Sequence, residues 1–196
     1  MAGIEVRTAG TGEREAVIAL LTLAFSVDPP SRWLFPTAGS YLSTFPGFAA
    51  AFGGRAFSDG TADVTADGAA AALWLAPGAA PDREALGSII GPAMAARTGG
   101  PDREVGEQMA RLHPKEPHWY LPLIGVDPAH QGQGLGSALL RHGLARCDRQ
   151  GRPAYLESSN IRNVPLYERH GFEVLAVIQS GDFPPLYPMA RAARPL

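Results

Sequence analysis

The sequence predicts a mixed α/β fold with a partly parallel sheet. The last third of the chain alternates strand, helix, strand, helix and strand, an order that is typical of parallel strands joined by helical crossovers. A glycine-rich turn at residues 126–137 joins the first of these strands to an amphipathic helix. Earlier in the chain, the apolar run at residues 69–75 ends at Pro77 and Gly78, which indicates a buried strand.

The elements before this last third follow from apolar spacing and from proline. A strand is predicted at residues 4–7 and helices at 13–25 and 41–52, where apolar side chains recur at helical spacing. Pro29 and Pro30 exclude the helical conformation before them, and the aromatic segment 31–36 is predicted to be irregular. The remaining expected elements are weak strands or turns at 56–59 and 62–65, a strand at 69–75, and two helices within 81–112 that are separated by residues 98–101.

The C-terminal elements have a clearer pattern. Strands are predicted at residues 118–126, 153–157, 172–179 and 186–190, and helices at 134–150 and 164–170. The first of these helices places its apolar residues on one side, which predicts a buried face made of Leu135, Leu139, Leu140, Leu144 and Cys147.

Composition limits the function classes. The chain has 196 residues, a formal net charge of −2 and 45% hydrophobic residues, which predicts a single domain over residues 1–196 without the positive charge of a general nucleic-acid binder. No apolar run reaches the roughly 18 residues of a membrane span. The N-terminus lacks the pattern of a secretory signal, and the single cysteine excludes an internal disulfide. The sequence therefore predicts a cytoplasmic protein that binds neither nucleic acid nor membrane.

Missing motifs exclude several chemistries. Lys115 is the only lysine, and it lies in a polar, proline-flanked run that is neither a phosphate-binding P-loop nor a desolvated Schiff-base site. The sequence contains neither a zinc-protease nor a serine-hydrolase motif. Five scattered histidines and one cysteine lack the spacing of a zinc site, so no metal is expected.

The glycine-rich turn is the strongest chemical signal. A strand, a flexible turn and a helix N-terminus together form a cradle for phosphate, because the first helix amides have no acceptors within the helix. Ser137 stands where a dinucleotide-binding fingerprint would require glycine. Two alternatives remain, a tight turn that needs glycine for geometry alone and a different nucleotide-binding site that accepts ATP or NAD.

A second segment, residues 156–172, ends a strand, makes a polar turn and forms a short helix that stops at Gly171. The pattern alone favours a packing role for Tyr167. Together, however, the two segments resemble the GNAT superfamily of acyl-CoA-dependent N-acyltransferases, and within it the puromycin N-acetyltransferase group. The resemblance covers residues 118–180 and depends on Gln131, Gly134 and Gly136 in the pyrophosphate loop, and on Asn160, Tyr167, Gly171 and Phe172 in the later motif.

The resemblance implies a mostly antiparallel sheet with splayed central strands and helices on both faces. It divides the domain into an acceptor-side half, about residues 1–115, and an acyl-CoA-binding half, about 116–196. Acetyl-CoA is the implied co-substrate, with its pantetheine arm between the splayed strands and Asn160 beside it, or Asn163 in its place. The implied cofactor-binding residues are Ile124, Gly125, Val126, Gln131, Gly132, Gln133, Gly134, Leu135, Gly136, Ser137, Asn160 and Asn163.

The implied reaction is direct attack of an amine on the thioester. Tyr167 would donate to the departing thiolate, and because a thiol pKa of about 8.5 lies below a tyrosine pKa of about 10, hydrogen bonding is favoured over full proton transfer. Glu157 is the first candidate for the general base, acting through water, and His118 is the alternative. Glu157 is equally consistent with a capping or solvated carboxylate.

The resemblance does not identify the acceptor. An apolar or aromatic small-molecule amine is expected, with Asp28 either attracting its ammonium group or capping the turn before Pro29. A protein amine as acceptor and a non-catalytic acyl-CoA sensor are the alternatives, and the chain is expected to be a monomer or a homodimer. The predicted substrate-binding residues are Asp28, Trp33, Phe35, Trp74, His118 and Tyr120, with Met94 and Met109 as further candidates.

Overall fold

The computed structural model describes residues 3–95 and 102–194, and the strands in those residues form one seven-stranded sheet. The strands are β1 (Val6–Thr8), β2 (Ala62–Thr65), β3 (Ala70–Leu75), β4 (Trp119–Val126), β5 (Ala154–Ser158), β6 (Glu173–Val174) and β7 (Tyr187–Arg191). Their order across the sheet is β1-β2-β3-β4-β5-β7-β6. Neighbouring strands are antiparallel except β4 and β5, which run parallel. The predicted mixed sheet is confirmed.

Helices cover both faces of this sheet. They are α1 (Arg14–Ala24), α2 (Pro29–Leu34), α3 (Ala38–Phe52), α4 (Arg83–Ala95), α5 (Asp102–Leu112), α6 (Leu135–Arg149) and α7 (Val164–Arg169). On one face, α1 and α3 bury Leu21 and Phe45 against β2, β3 and β4. On the other face, α6 buries the whole stripe that its sequence predicts, including Leu139 and Cys147.

The parallel pair β4–β5 splays apart soon after it begins. Only Trp119 and Tyr120 pair with β5, opposite Ala154 and Tyr155. The register of β4 against β3 also shifts between Tyr120 and Leu123, where β4 contains an extra residue. Pro122 lies within this irregularity and has no amide hydrogen for a ladder bond. The sheet is therefore open at its centre beyond Tyr120, and the splayed central strands that the resemblance implies are confirmed.

One local prediction is wrong. Segment 31–36, predicted to be irregular, lies mostly in the short helix α2. Asp28 caps this helix by accepting a hydrogen bond from the Ser31 amide at 3.1 Å, and two prolines occupy its first turn, where their fixed φ is compatible with a helix. Residues 56–59 form turns, which is one of the two alternatives predicted for them.

The predicted strand at 172–179 is also shorter than expected. Only Glu173 and Val174 pair with β7, followed by an isolated bridge between Ile178 and Leu186. The Leu175 amide donates to the Pro188 carbonyl at 2.8 Å, but proline has no amide hydrogen with which to return the bond. The ladder therefore stops at Pro188. The predicted break at 98–101 lies outside the described residues.

The glycine at position 143 lets α6 approach the sheet. A Cβ atom added to Gly143 would overlap the fully buried indole of Trp74. We expect Gly143→Ala to lower the free energy of unfolding by about 1–3 kcal/mol, since the core there has no space for a methyl group. Gly87 in α4 is the control, because a Cβ there meets nothing within 4 Å and Gly87→Ala should stabilise the chain by about 0.5–1 kcal/mol. Equal stabilities of the two variants in urea unfolding would contradict this packing.

None of the helices in the two described ranges has the length and apolar composition needed to cross a lipid bilayer.

Candidate active site

The turn between β4 and α6 has the backbone geometry of an anion-binding loop. Asp127 accepts a hydrogen bond from the Ala129 amide at 2.8 Å and so caps a single 3₁₀ turn. Gly132 and Gly134 then adopt positive φ angles of 77° and 86°, which favour glycine. The two glycines reverse the chain and bring the backbone directly into α6.

The N-terminus of α6 is left open by this turn. Gly134 is the N-cap residue, so no side chain caps the helix, and the first helical bond runs from the Ala138 amide to the Gly134 carbonyl. The amides of the preceding first turn lack acceptors within the helix and, together with the helix dipole, favour an anion. Arg162 and Arg169 line the same cavity, which is about 550 Å³ in volume, and add positive charge to it.

This first cavity, which we call the loop cavity, gathers most of the residues predicted to bind the cofactor. Gln133 is not among its lining residues. Asn160 uses its side-chain oxygen to cap a 3₁₀ turn, accepting from the Arg162 amide at 3.0 Å, whereas Asn163 lines both this cavity and the second one described below. The predicted residues that line the loop cavity are Ile124, Gly125, Val126, Gln131, Gly132, Gly134, Leu135, Gly136, Ser137, Asn160 and Asn163.

A second cavity of about 340 Å³, the apolar cavity, lies where β4 and β5 have splayed apart. Its wall is mainly aliphatic and aromatic, with contributions from α2, α3, α4 and α5. Asp28 and Glu157 are the charged side chains on its wall among the described residues, and both are acidic. The apolar wall includes Phe25, Leu34, Phe48, Phe52, Leu86, Ile90, Met94, Val105, Met109, Leu156 and Phe183.

Tyr167 lies at the junction of the two cavities and lines both. Its side chain is buried and packs edge-on against Phe172, with ring centroids 6.1 Å apart. Burial raises the pKa of the Tyr167 phenol well above its ordinary value, and the negative charge of Asp28 adds to this shift. The phenol therefore keeps its proton at neutral pH and is a hydrogen-bond donor.

Glu157 lies on the apolar-cavity side of the junction, near the end of β5. Its side chain is only 7% exposed, and its Oε2 accepts a hydrogen bond of 2.7 Å from the Tyr120 hydroxyl. Its Oε1 lies 3.7 Å from Nδ1 of His113. Burial, followed by the charge of Glu157, raises the pKa of Tyr120 well above its ordinary value, so Tyr120 is the donor and Glu157 the acceptor of this hydrogen bond.

Asp28 connects the two sides of the junction. It accepts hydrogen bonds from the Ser31 hydroxyl at 2.7 Å and from the Ser159 hydroxyl, in addition to capping α2. Burial raises the pKa of its carboxyl group, against the opposing effect of these hydrogen bonds. Asp28 thus caps the turn before Pro29, which is one of the two roles that the sequence predicts for it. Asp28 also lies on the walls of both cavities, where the other predicted role, attraction of an ammonium group, requires it to be.

Comparison with known proteins matches this arrangement to one family. The model of the Acetyltransferase (GNAT) family matches residues 56–172, which is more than half of the chain and includes both the loop and Tyr167. The chain belongs to the GNAT acetyltransferase family.

Individual relatives agree with this assignment. A crystal structure titled histone acetyltransferase HPA2 and related acetyltransferase, from Corynebacterium glutamicum, superposes with a TM-score of 0.73 at 29% identity and covers 99% of each chain. An arylalkylamine N-acetyltransferase 2 from Aedes aegypti shares the GNAT fold with a TM-score of 0.65 at 12% identity, covering 98% of this chain and 100% of the other. The chain therefore has the GNAT fold that its motifs imply.

Curated relatives match over shorter stretches. A mycothiol acetyltransferase of Geodermatophilus obscurus is 39% identical over 84 residues, which cover 39% of this chain and 27% of that protein. An uncharacterized N-acetyltransferase of Schizosaccharomyces pombe is 44% identical over 54 residues, or 28% of this chain and 22% of that protein. The chain thus spans about a quarter of the length of these GNAT relatives.

Several residues predicted to bind the acceptor lie elsewhere. Trp74 is fully buried beneath α6, and Phe35 is buried beside α3, so both belong to the core rather than to the GNAT acceptor wall. Trp33 packs edge-on against Phe183 at a ring distance of 5.0 Å and does not line the apolar cavity. These three predictions are wrong, because an aromatic residue that packs in a core and one that lines a cavity have the same sequence signature.

Tyr120 and His118 lie behind the cavity wall rather than on it. Tyr120 reaches the site only through its hydrogen bond to Glu157, and His118 contacts the Glu116 carbonyl and His113. Their prediction as substrate-binding residues is corrected accordingly. Met94 and Met109 do line the apolar cavity. Sequence reasoning missed His113, which follows α5 in a segment that carries no motif.

Proposed function

We propose that this GNAT protein catalyses acetyl-CoA-dependent N-acetylation of a small apolar amine by direct attack on the thioester. The observation that carries the proposal is the meeting of two chemically different cavities at Tyr167, one lined by an anion-binding loop and one by apolar side chains. GNAT family members use acetyl-CoA as co-substrate, and the residues of the loop cavity fit its pyrophosphate.

The positions of the reacting groups follow from this placement. The loop amides and Arg162 hold the pyrophosphate, and the β4 edge at Ile124 and Val126, which has no strand partner on the β5 side among the described residues, holds the pantetheine arm. The thioester then reaches Tyr167. The amine enters from the apolar cavity, where Glu157 accepts its proton.

The leaving thiolate is stabilised by a hydrogen bond from Tyr167 rather than by full proton transfer. Even an unperturbed tyrosine would make transfer uphill by roughly 2 kcal/mol, because its pKa exceeds that of a thiol by about 1.5 units. Burial of Tyr167 raises its pKa and increases this cost. The thiolate therefore leaves hydrogen-bonded and takes its proton afterwards.

The wall of the apolar cavity supports an acceptor with an apolar body and a single ammonium group. Aliphatic and aromatic side chains bury such a body favourably, whereas a polyhydroxylated amine would leave several hydroxyl groups without partners there. Asp28 and Glu157 supply negative charge for the ammonium group. The cavity volume of about 340 Å³ favours a small molecule over a protein amine.

Ligand-dependent stability tests the cofactor part of the proposal. A ligand present at 100 times its dissociation constant adds about 2.7 kcal/mol to the free energy of unfolding. We expect acetyl-CoA and CoA to raise the melting temperature and ATP and NAD to leave it unchanged. No shift with millimolar CoA would overturn the acetyltransferase proposal, while a shift with ATP or NAD alone would favour the nucleotide-binding alternative.

Turnover tests the acceptor. Phenethylamine represents an apolar primary amine, and glucosamine represents a polar amine of similar size. Puromycin tests the acceptor that the resemblance in sequence suggests. We expect CoA release with phenethylamine at a kcat/KM at least tenfold above that for glucosamine. Binding of acetyl-CoA without turnover of any amine would favour the non-catalytic sensor.

The charge of Asp28 is tested by a pair of variants. Asn is as good an N-cap as Asp, so Asp28→Asn removes the charge but keeps the cap of α2, whereas Asp28→Ala also costs about 1 kcal/mol of stability. We expect both variants to raise the KM for the amine about tenfold, with the melting temperature falling only in Asp28→Ala. An unchanged KM for the amine in Asp28→Asn would show that Asp28 only caps α2 and does not attract the ammonium group.

A further inference from the structure

Acetylation of an ammonium substrate releases a proton inside the site. The nitrogen lone pair forms the C–N bond and the C–S bond breaks, so an R–NH₃⁺ substrate loses two protons while the departing sulfur regains one. The net proton must leave the apolar cavity. Glu157, the base of the proposed function, is only 7% exposed, so little of its carboxylate faces bulk water.

A chain of side chains that line neither cavity leads away from Glu157. His113 places Nδ1 at 3.7 Å from Glu157 Oε1 and Nε2 at 3.1 Å from Nε2 of His118. His118 in turn has its Nδ1 at 2.7 Å from the Glu116 carbonyl oxygen. The His113 side chain is 38% exposed, so this chain reaches solvent.

The hydrogen bonds determine which nitrogens carry hydrogen. The Glu116 carbonyl can only accept, so Nδ1 of His118 donates to it. Burial lowers the pKa of His118, which keeps the ring neutral and leaves its Nε2 as an acceptor. His113 must therefore donate from Nε2, and a neutral His113 presents a bare Nδ1 to Glu157.

The contact between Glu157 and His113 agrees with this assignment. Two hydrogen-bond acceptors that face each other stay farther apart than a hydrogen bond allows. The 3.7 Å between Nδ1 of His113 and Oε1 of Glu157 is such a separation. The other titratable rings that face His113 are those of Tyr120 and Tyr155, at centroid distances of 5.2 and 4.8 Å. Burial raises the pKa of both phenols, so neither competes with His113 for the proton.

We propose that His113 receives the amine proton from Glu157 on Nδ1 and releases it to solvent, and that His118 positions His113 in the tautomer that can do so. This inference rests on the proposed function. His113 acts through Glu157 and is a positioning residue, since it does not line either cavity. Once protonated, His113 pairs with the Glu157 carboxylate, and loss of the proton to water restores the resting state.

Nitrogen NMR of the intact chain tests the tautomers without any substrate. In ¹⁵N-labelled wild type at mildly alkaline pH, we expect the neutral His113 to carry its hydrogen on Nε2 and His118 on Nδ1. His118→Phe should release His113 into a mixture of tautomers. A neutral wild-type His113 with its hydrogen on Nδ1 would overturn the proposal, because the nitrogen facing Glu157 would then be occupied.

Kinetics tests the transfer itself. We expect His113→Ala to lower kcat at neutral pH at least tenfold with the KM for acetyl-CoA unchanged, and we expect added imidazole to restore much of the loss, which a merely structural defect would not allow. His142→Gln is the control, since His142 is a partly exposed histidine that pairs with Asp63 on the other face of the sheet. His113→Gln serves as a second variant if the alanine variant does not fold.

The outcomes separate this inference from the proposed function. An active wild type with an equally active His113→Ala variant overturns the proton path alone. A defective His113→Ala that imidazole does not restore also overturns it. A wild type that binds CoA but acetylates no amine overturns the proposed function, and the transfer role of His113 with it.

Discussion

Replacing Glu157 with glutamine is expected to lower kcat/KM for the amine by about 10²–10⁴-fold at neutral pH, the usual contribution of a positioned base. Glutamine has the same shape and its amide oxygen still accepts from the Tyr120 hydroxyl, but it cannot take a proton. The loop cavity is untouched, so the stabilisation by CoA should remain. Initial rates of CoA release over a range of pH measure the effect.

The pH dependence of this loss has a defined sign. Below the pKa of the amine, about 10 for an alkylamine, the substrate arrives protonated and needs a base. Above that pKa the amine arrives neutral, so the deficit of the Glu157→Gln variant should shrink as pH rises. Glu84 provides the control, since it is exposed on α4 and Glu84→Gln should leave the rates unchanged. Wild-type kcat/KM in Glu157→Gln would remove Glu157 as the base.

Replacing Tyr167 with phenylalanine is expected to lower kcat at least tenfold while leaving the affinity for CoA intact. The phenol is the donor that lies at the junction of the two cavities, and the leaving thiolate loses its hydrogen bond without it. Phenylalanine keeps the edge-on packing against Phe172, so the fold should be unaffected. Single-turnover rates and isothermal titration with CoA separate the two effects.

Tyr41 offers a matched control for Tyr167. Tyr41 is also buried, but its hydroxyl donates to the Thr22 carbonyl at 2.6 Å, between α1 and α3. Tyr41 lines neither the loop cavity nor the apolar cavity. We expect Tyr41→Phe to lower the free energy of unfolding by about 1 kcal/mol and to leave kcat unchanged. If Tyr167→Phe retained the kcat of the wild type, Tyr167 would be a packing residue, as its sequence pattern alone favours.

The sequence by itself determined the loop and the elements around it. The glycine-rich turn and the buried stripe of α6 are local properties, set by glycine freedom and by helical periodicity, and both were predicted. The irregularity at Pro122 is local for the same reason, since proline lacks an amide hydrogen. The fold class followed from the order of these elements.

Only the tertiary structure decided the acceptor side. Whether an aromatic residue packs in the core, as Trp74 and Phe35 do, or lines a cavity, as Phe48 and Phe52 do, depends on which helix covers it. Helix periodicity identifies the apolar face of a helix but not the element that packs against that face. Here the packing elements come from distant parts of the chain.

The contact of Glu157 with His113 has the same origin. No motif joins these residues, because β5 and the segment after α5 meet only when the sheet is assembled. Local sequence patterns report short-range backbone and side-chain preferences, whereas the apolar cavity and the contact of Glu157 with His113 are products of long-range packing. The glycine-rich loop was therefore predictable from the sequence, whereas the composition of the apolar cavity required the fold.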